Sequence, residues 1–518
     1  MHGTRDRHVA VIGAGIGGLA AALDLLGRGV RVTVLERQAQ PGGKMRTVEA
    51  PDGRPIDAGP TVFTMKWVFD QLFEGIEERL DDHVGLHQAH TLARHAWPEE
   101  AGGGRLDLFA DVARAADAIG DFAGARDAAG FKRFVADSQA IYETLEPSFI
   151  RAPAPSMGAL MKAVGPTGLG KLAGIKPFTP MWKALGAYFA DPRLRQLFGR
   201  YTTYCGSSPF QAPATLMLVS HVEQAGVWLI AGGMHRLVQV MAGLVEAKGG
   251  RVLYDSPVAE ITVERGRATG VTLTSGEAIA ADAVIANADC AAVGGGLFGA
   301  EAARAVDAPP RAARSLSALT FLGAATARGF PLLRHTVFFS SAYEDEFARI
   351  FNARRLPHEP TVYICAQDRG DADKTGDGDG DGGDPDRPAE RLLLLVNAPP
   401  DGDRAAPDEE EIAKCETRTH DLLARCGLTL SPAGAGFQTA GPRTFAELFP
   451  ATGGALYGRA SHGWRASFQR PGVKTRLPGL YLAGGSVHPG PGVPMAALSG
   501  RLAAAAATAG LTRDRAST

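Results

Sequence analysis

The first forty residues alternate between short apolar runs and glycine turns, in the order strand, turn, helix, strand. The apolar run Val9–Ile12 is followed at once by the residues GAGIGG. The spacing of apolar residues over Leu19–Leu26 then predicts a helix, which Gly27 and Gly29 end. A further apolar run, Val30–Leu35, predicts a second strand. This order of elements indicates a βαβ unit with parallel strands.

The glycines of the first turn have the spacing of a dinucleotide-binding site. Gly13 permits the tight turn, Gly15 lets the backbone approach a pyrophosphate, and Gly18 lets the helix pack closely on the strand. The amides at the start of the helix favour phosphates. Glu36 follows the second strand. A carboxylate at this position binds ribose hydroxyls and disfavours the 2′-phosphate of NADP. Its effect on the choice of cofactor should outweigh that of the adjacent Arg37. The motif alone does not distinguish NAD from FAD.

The residues after Glu36 differ from the continuation of an ordinary NAD-binding domain. A second glycine turn (Gly42–Gly43) and two cations (Lys44 and Arg46) stand where another helix and strand would follow, and the run DAGPT comes next. Such a turn allows close approach to more of the cofactor, and the cations suit its phosphates or a reduced, anionic flavin. A solvated loop with incidental charges is the alternative.

The far end of the chain repeats the order of strand and glycine turn. Leu480–Ala483 predicts a buried strand, Gly484–Gly485 opens a turn, and a helix is expected to start near Pro494 after a loop rich in proline and glycine. The free amides of that helix start would point at an electron-rich group.

Together the two ends resemble a known family. VIGAGIGGLAAALDLLGRGVRVTVLERQAQPGGKMRT and LPGLYLAGGSVHPGPGVPMAALSGRLAAAA are similar to segments of the amine oxidase and carotenoid desaturase superfamily of FAD enzymes, and HPGPGVP is typical of its bacterial-type carotenoid desaturases. The resemblance implies FAD, with the flavin held by the C-terminal segment and the adenine by the Val258 backbone. The residues expected to bind FAD are Gly13, Gly15, Gly18, Glu36, Arg37, Gly43, Lys44, Arg46, Gly59, Thr61, Val258, Gly485, Ser486, Val493 and Met495.

Within that family, DAGPTVFTMKWVFDQLFEG is most similar to the hydroxycarotenoid 3,4-desaturases, also called methoxyneurosporene dehydrogenases. The resemblance implies an acyclic carotenoid substrate already hydrated at one end, one new double bond, and a long apolar tunnel, because the cofactor carries the hard chemical step. The residues identify no catalytic base, and the electron acceptor (a quinone, oxygen or another carrier) stays open. Phytoene desaturases, related isomerases, amine or protoporphyrinogen oxidases and non-catalytic prenyl-protein escorts are the alternatives.

The predicted fold class is α/β: a discontinuous Rossmann-like FAD-binding domain, an α+β substrate domain and a helical membrane-facing region. Residues 1–100, 221–295 and 451–518 are assigned to the FAD-binding domain, and residues 101–220 and 296–450 to the substrate domain. Further predicted elements are a helix over Met234–Lys248, a strand over Arg251–Tyr254, a hairpin of Val258–Glu264 and Ala268–Thr274, and a strand over Ala283–Ala286.

Composition narrows the remaining possibilities. A chain of 518 residues is too long for one hydrophobic core and predicts at least two domains. The 54 basic and 56 acidic residues nearly balance, so the net charge indicates no nucleic-acid partner. The five cysteines lack CxxC spacing, which favours reduced thiols in the cytosol. Four histidines between residues 83 and 95 lack a complete ligand set, so no metal is expected. Residues 368–390, rich in Asp and Gly, predict a disordered loop.

One segment suggests a membrane surface as a partner. Residues 147–190 contain no Asp or Glu, and their apolar residues are interspersed with Arg151, Lys162, Lys171, Lys176 and Lys183. Each cation near an anionic membrane contributes about 1 kcal/mol, and apolar side chains between the cations can enter the headgroups. The alternative is an ordinary helical lid. Because the start MHGTRDRH has no apolar signal core and no run of about 18 apolar residues follows, a peripheral location on the cytoplasmic side of the membrane is expected.

Overall fold

A parallel sheet carries the first glycine turn at the carboxyl end of its central strand. The computed structural model describes residues 7–50, 53–164, 174–370 and 388–516. From edge to edge, the parallel strands are Leu480–Leu482, Ala283–Ala286, His8–Ile12, Arg31–Leu35 and Arg251–Leu253. Strands from both ends and from the middle of the chain share this sheet, which confirms the predicted Rossmann-like fold. Its strands are almost wholly buried, as parallel sheets covered by helices are.

A larger mixed sheet forms the second layer. Its strands, in spatial order, are Thr429–Pro432, Ser317–Arg328, Glu390–Ala398, Val362–Ala366, His335–Phe338, Thr91–Ala96 and Arg105–Phe109, and Gln438–Ala440 pairs with Ser317–Arg328 as well. The pair between Thr91–Ala96 and His335–Phe338 is parallel, whereas the other pairs are antiparallel.

Three small antiparallel sheets complete the strand pairing of the described residues. They consist of Val258–Glu264, Arg267–Leu273 and Ala278–Ala280; of Thr47–Glu49 with Pro55–Asp57; and of Leu86–Gln88 with Trp228–Ile230. The hairpin predicted around Arg265 and Gly266 is confirmed. Both turn residues have positive φ (51° and 74°), as in a type I′ turn, whose twist matches that of the flanking strands.

Helices cover the sheets, and several begin at the capping residues that their sequences supply. Asp111 accepts a hydrogen bond from the Arg114 amide (2.7 Å), and Asp408 accepts one from the Glu411 amide (2.8 Å). The α-helices are Ile16–Gly27, Lys66–Glu74, Leu80–His83, Val112–Ala123, Ala125–Leu145, Met157–Val164, Met181–Leu185, Pro192–Gly199, Leu218–Gln224, His235–Ala247, Cys290–Gly294, Ala300–Ala303, Tyr343–Ala348, Glu409–Arg425, Pro442–Leu448 and Val493–Ala516. Shorter 3-10 or π turns are Glu99–Ala101, Glu146–Ile150, Arg200–Cys205, Ala214–Met217, Arg311–Ala313, Arg349–Ala353 and Ala466–Gln469.

The first domain boundary expected from sequence, at residue 100, falls between two strands that pair with each other, Thr91–Ala96 and Arg105–Phe109. We propose that the first FAD-binding segment ends near residue 90, and that the boundary predicted at residue 220 lies at an end of helix Leu218–Gln224 and not inside it. Most of the acidic loop expected at 368–390 lies outside the described residues. At its margins, Arg369 pairs with Glu390 (2.5 Å) and Arg391 pairs with Asp368 (2.6 Å).

Candidate active site

The first glycine turn leaves no room for side chains on the residues that form it. Gly13 has φ +94°, and its amide donates to the Leu35 carbonyl at 2.7 Å. A Cβ on Gly18 would overlap the Gly13 carbonyl oxygen, and a Cβ on Gly15 would lie 2.8 Å from Asn287 Nδ2. One side of the turn is therefore packed tightly against the protein, and its other side lines a cavity.

Glu36 lies buried at the end of the second strand of the parallel sheet, on the wall of the same cavity. One carboxylate oxygen accepts from the Ala14 amide (2.7 Å), and the other accepts from the Gln38 amide (3.0 Å). A carboxylate has about four acceptor positions, so further lone pairs remain for ribose hydroxyls. The adjacent Arg37 is exposed and donates to the carbonyls of Glu447 and Leu448, which ties this strand end to helix Pro442–Leu448.

The second glycine turn packs directly on the first. The Gly42 amide donates to the Ala14 carbonyl at 2.9 Å, and Gly43, with φ +57°, lines the cavity. Lys44 Nζ donates to the Leu456 carbonyl at 2.6 Å, and burial lowers the pKa of this amine. Arg46 also lines the cavity, and its buried Nη2 has no hydrogen-bond partner. An unpartnered guanidinium nitrogen is costly unless a ligand accepts its hydrogen bond.

The remaining predicted site residues reach the same cavity from four parts of the chain. Gly59 packs on the Lys44 carbonyl so tightly that a Cβ would overlap it, and Thr61 Oγ1 lies 2.6 Å from the Tyr363 hydroxyl. Ser486 Oγ accepts from the Cys290 amide at 3.0 Å. The predicted residues on the cavity wall are Gly13, Gly15, Glu36, Arg37, Gly43, Lys44, Arg46, Gly59, Thr61, Val258, Gly485, Ser486, Val493 and Met495. Gly18 stands behind the wall.

The cavity has a volume of about 1420 Å³, more than the roughly 300–1,000 Å³ of a pocket for one drug-sized ligand. Beyond the glycine turns its wall is largely apolar. The side chains there come from helices 125–145, 157–164 and 218–224 and from strand 390–398, among other segments: Leu145, Phe149, Ile150, Leu160, Ile175, Leu216, Leu218, Val219, Val222, Leu393, Leu395 and Phe468. The space can therefore hold a dinucleotide and, beside it, a long hydrocarbon.

Sequence reasoning missed three residues that organise the site. Asn287 donates from Nδ2 to the Gly13 carbonyl (3.3 Å) and lies under the whole glycine turn. Asp289 caps helix Cys290–Gly294 and lines the cavity. Arg470 is buried and donates to the carbonyls of Tyr457 (3.1 Å) and Gly485 (3.3 Å). The signal for Asn287 was its position one residue after a strand of the parallel sheet, at the edge that carries the cofactor motif.

Among the described residues, the histidines singled out in the sequence do not line the cavity. His488 Nε2 donates to the Phe149 carbonyl at 2.7 Å, and burial lowers the pKa of this side chain to about 4, so the neutral ring supports the loop. His83 ends a short helix and contacts Glu78 (2.9 Å), whereas His87 lies in strand Leu86–Gln88, so the two rings do not share a helix face. His95 is buried, and burial lowers its pKa to about 3.

These features fit FAD better than NAD. The two glycine turns, the Glu36 carboxylate and the unpartnered Arg46 guanidinium surround the end of the cavity expected to hold the adenosine and pyrophosphate. Helix Val493–Ala516 begins at the cavity wall with first-turn amides that have no intrahelical partner. These amides are free to donate to a second part of a cofactor, as a flavin requires.

The comparison with known families agrees with this geometry. Residues 16–508 match the model of the flavin containing amine oxidoreductases. The chain belongs to this family. It is an FAD-dependent oxidoreductase.

Curated relatives place it with the carotenoid desaturases. It is 50% identical to the hydroxyneurosporene desaturase of Rubrivivax gelatinosus over 96% of this chain and 93% of the relative. It is 44% identical to the hydroxyneurosporene desaturase of Cereibacter sphaeroides, over 97% and 98% of the two chains. The 4,4'-diapolycopene oxygenase of a Methylomonas species is 30% identical, over 97% and 98%. Among solved structures, a putrescine oxidase shares the fold, with a TM-score of 0.58 and 16% identity over 97% of this chain and 99% of that chain.

Proposed function

We propose that the chain introduces the 3,4 double bond into an acyclic carotenoid that already carries a hydroxyl group at C1. The names of its 50% and 44% identical relatives support this substrate class. The observation that carries the proposal is the continuous cavity, whose polar end fits a dinucleotide and whose apolar part suits a hydrocarbon without charged groups.

The protein contributes binding, orientation and exclusion of water. Bound FAD would supply the acceptor for the hydride that leaves one substrate carbon, and the proton of the neighbouring carbon would be released. The apolar side chains hold the polyene and keep water from the reacting bond. Lys44 and Arg470 supply positive charge near the C-terminal glycine turn, and Asp289 partly balances it. None of the described residues is assigned as a base.

We further propose that the enzyme takes its substrate from a membrane surface. Met157, Met161, Phe178 and Trp464 are exposed large apolar side chains, and the rings of Phe178 and Trp464 are 5.5 Å apart. Leu160, Pro177 and Trp464 line the cavity, so this exposed surface surrounds an entrance. We call these four exposed residues the rim.

Charge supports the same surface only in part. Lys162 and Lys183 are exposed, but Arg151 pairs with Glu146 and Lys176 pairs with Asp137 (2.5 Å). Lys171 lies outside the described residues. No helix among the described ranges has both the length and the apolar character needed to cross a bilayer. Docking would therefore rest mainly on the apolar rim.

The test uses the purified holoenzyme with liposomes that carry either a C1-hydroxylated acyclic carotene or phytoene. Oxygen and a membrane quinone are supplied separately as electron acceptors. We expect one new double bond in the hydroxylated carotene, seen as a red shift of its absorbance and confirmed by product mass. Stepwise desaturation of phytoene would instead assign the protein to the general desaturases, and no conversion of either carotene would contradict the proposal.

A further inference from the structure

The apolar part of the cavity contains a group of polar side chains, most of which the binding of FAD does not explain. Arg200 and Tyr204 belong to the short turn Arg200–Cys205, and both line the cavity together with Glu223, Tyr363 and Thr61. Polar groups in an apolar chamber are unfavourable unless each finds a hydrogen-bond partner. We call these five residues the polar group of the cavity.

Arg200 has hydrogen-bonding capacity that the described protein does not use. One guanidinium nitrogen, Nη1, donates to the Tyr204 hydroxyl at 3.0 Å, and the guanidinium lies over the rings of Tyr204 and Tyr363, 5.2 and 5.3 Å from their centroids. Glu223 is the nearby acidic side chain, and among the described residues Arg200 forms no ion pair with it or with another carboxylate. Because a guanidinium has five N–H donors, several remain for a ligand.

Glu223 is the acidic member of the polar group. Glu223 accepts from the Tyr201 hydroxyl at 2.7 Å on the side away from the cavity. Burial raises the pKa of Glu223, while the Tyr201 hydroxyl and the nearby Arg200 charge act in the opposite direction. The remaining N–H groups of Arg200 therefore need a hydrogen-bond acceptor, and a hydroxyl oxygen of a ligand can supply one.

The polar group borders the part of the cavity assigned to the flavin. Thr61 contacts Tyr363 (2.6 Å) and follows Gly59, which packs on Lys44. Tyr457 also lines the cavity, and the Arg470 guanidinium donates to the carbonyls of Tyr457 and Gly485. Thr61 and Tyr457 thus connect the polar group to the two segments expected to hold the flavin.

We propose that Arg200 and Tyr204 bind the tertiary hydroxyl at C1 of the carotenoid and thereby select hydroxylated substrates and place C3–C4 at the flavin. This inference rests on the proposed function. Only C2 separates C1 from C3, so a hydroxyl anchor beside the flavin sets which bond is oxidised. A site built around such a hydrogen bond discriminates strongly against an analogue without the hydroxyl, because its polar groups stay unpaired.

The test compares Arg200→Met and Tyr204→Phe with the parent enzyme on two substrates, the C1-hydroxylated carotene and the same carotene without the hydroxyl. Arg200→Met retains much of the apolar stem but no donor. We expect kcat/KM for the hydroxylated carotene to fall about 10- to 100-fold, because the loss of one hydrogen bond to a charged group changes an equilibrium or rate constant by about that factor. The kcat/KM for the carotene without the hydroxyl should change little. Equilibrium binding of the two products, followed by tryptophan quenching, should likewise lose its preference for the hydroxylated product.

Tyr201→Phe is the matched control, because Tyr201 also contacts Glu223 but does not line the cavity. It should leave the preference unchanged. If Arg200→Met fails to fold or to retain FAD, Tyr204→Phe, which removes a single oxygen, decides the question. An equal loss on both substrates, or no loss, would overturn the inference while the proposed function stands. Failure of the parent enzyme to convert either carotene would overturn both.

Discussion

At the scale of single residues, the site depends on backbone contacts so close that a Cβ methyl group would not fit. Gly18 meets the Gly13 carbonyl, Gly59 meets the Lys44 carbonyl, and Gly500 of the last helix meets the Gly17 carbonyl. Each contact is with backbone, which cannot rotate away as a side chain can. These three glycines are therefore structural requirements of the cavity wall, whether or not they touch the cofactor.

Gly18→Ala should destabilise the protein by about 1–3 kcal/mol through overpacking and lower its FAD content. The reason is the overlap between the new Cβ and the Gly13 carbonyl oxygen. Chemical unfolding and the flavin-to-protein absorbance ratio measure the two effects. Gly243→Ala is the control, because Gly243 is exposed within a helix and a Cβ there meets nothing within 4 Å. It should stabilise the protein by about 0.5–1 kcal/mol. Equal behaviour of the two variants would refute this account of the turn.

Glu36→Gln should raise the dissociation constant of FAD about 10- to 100-fold, as expected for the loss of charge-assisted hydrogen bonds. The amide keeps one acceptor, so the Ala14 contact can persist and the fold should survive. Titration of the apoprotein with FAD, followed by flavin fluorescence, measures the change. Glu277→Gln, in an exposed turn, should have no effect. Unchanged FAD affinity in Glu36→Gln would mean that the ribose binds elsewhere.

At the scale of elements, local patterns were predictable and distant pairings were not. The hairpin at 258–273 and the helix at 235–247 follow from turn chemistry and apolar spacing, and both are confirmed. Strand Thr91–Ala96, by contrast, pairs with His335–Phe338, more than two hundred residues away. Nothing in the local sequence indicates that partner, and the predicted domain boundary consequently fell inside a sheet.

The rim carries the membrane prediction at this scale. The double substitution Met161→Ser/Phe178→Ser should weaken sedimentation with anionic vesicles roughly ten- to a hundredfold, because burial of each large apolar side chain contributes about 1.5–3 kcal/mol when complete. Met161 and Phe178 are 51% and 75% exposed, so neither substitution opens the core.

Leu297→Ser is the control for that experiment. Leu297 is 48% exposed and also lines the cavity, but it lies beside Phe298, whose carbonyl accepts a hydrogen bond from the Ile261 amide of the three-stranded sheet. It should retain vesicle binding. Equal binding by the rim variant and the control would show that the rim is not the docking surface.

At the scale of the whole molecule, the two ends of the chain close one site. Helix Val493–Ala516 packs on helix Ile16–Gly27 through Gly500 and Gly17, which places the C-terminal glycine turn opposite the N-terminal one. The motifs at each end could be recognised in the sequence, because their function requires particular glycines. Asn287 had only its position just after a predicted strand as a signal, and Arg200 and Arg470 had none, because their roles arise from contacts between distant segments.

The most direct test of the central claim is an anaerobic single-turnover experiment. The flavin-loaded enzyme is mixed with liposomes that contain the C1-hydroxylated acyclic carotene, and the flavin and carotenoid absorbances are followed together. The account predicts bleaching of the flavin in step with a red shift of the carotenoid, with one double bond formed per flavin reduced. A flavin that stays oxidised in the presence of this carotene, or that is bleached by an amine instead, would contradict the account.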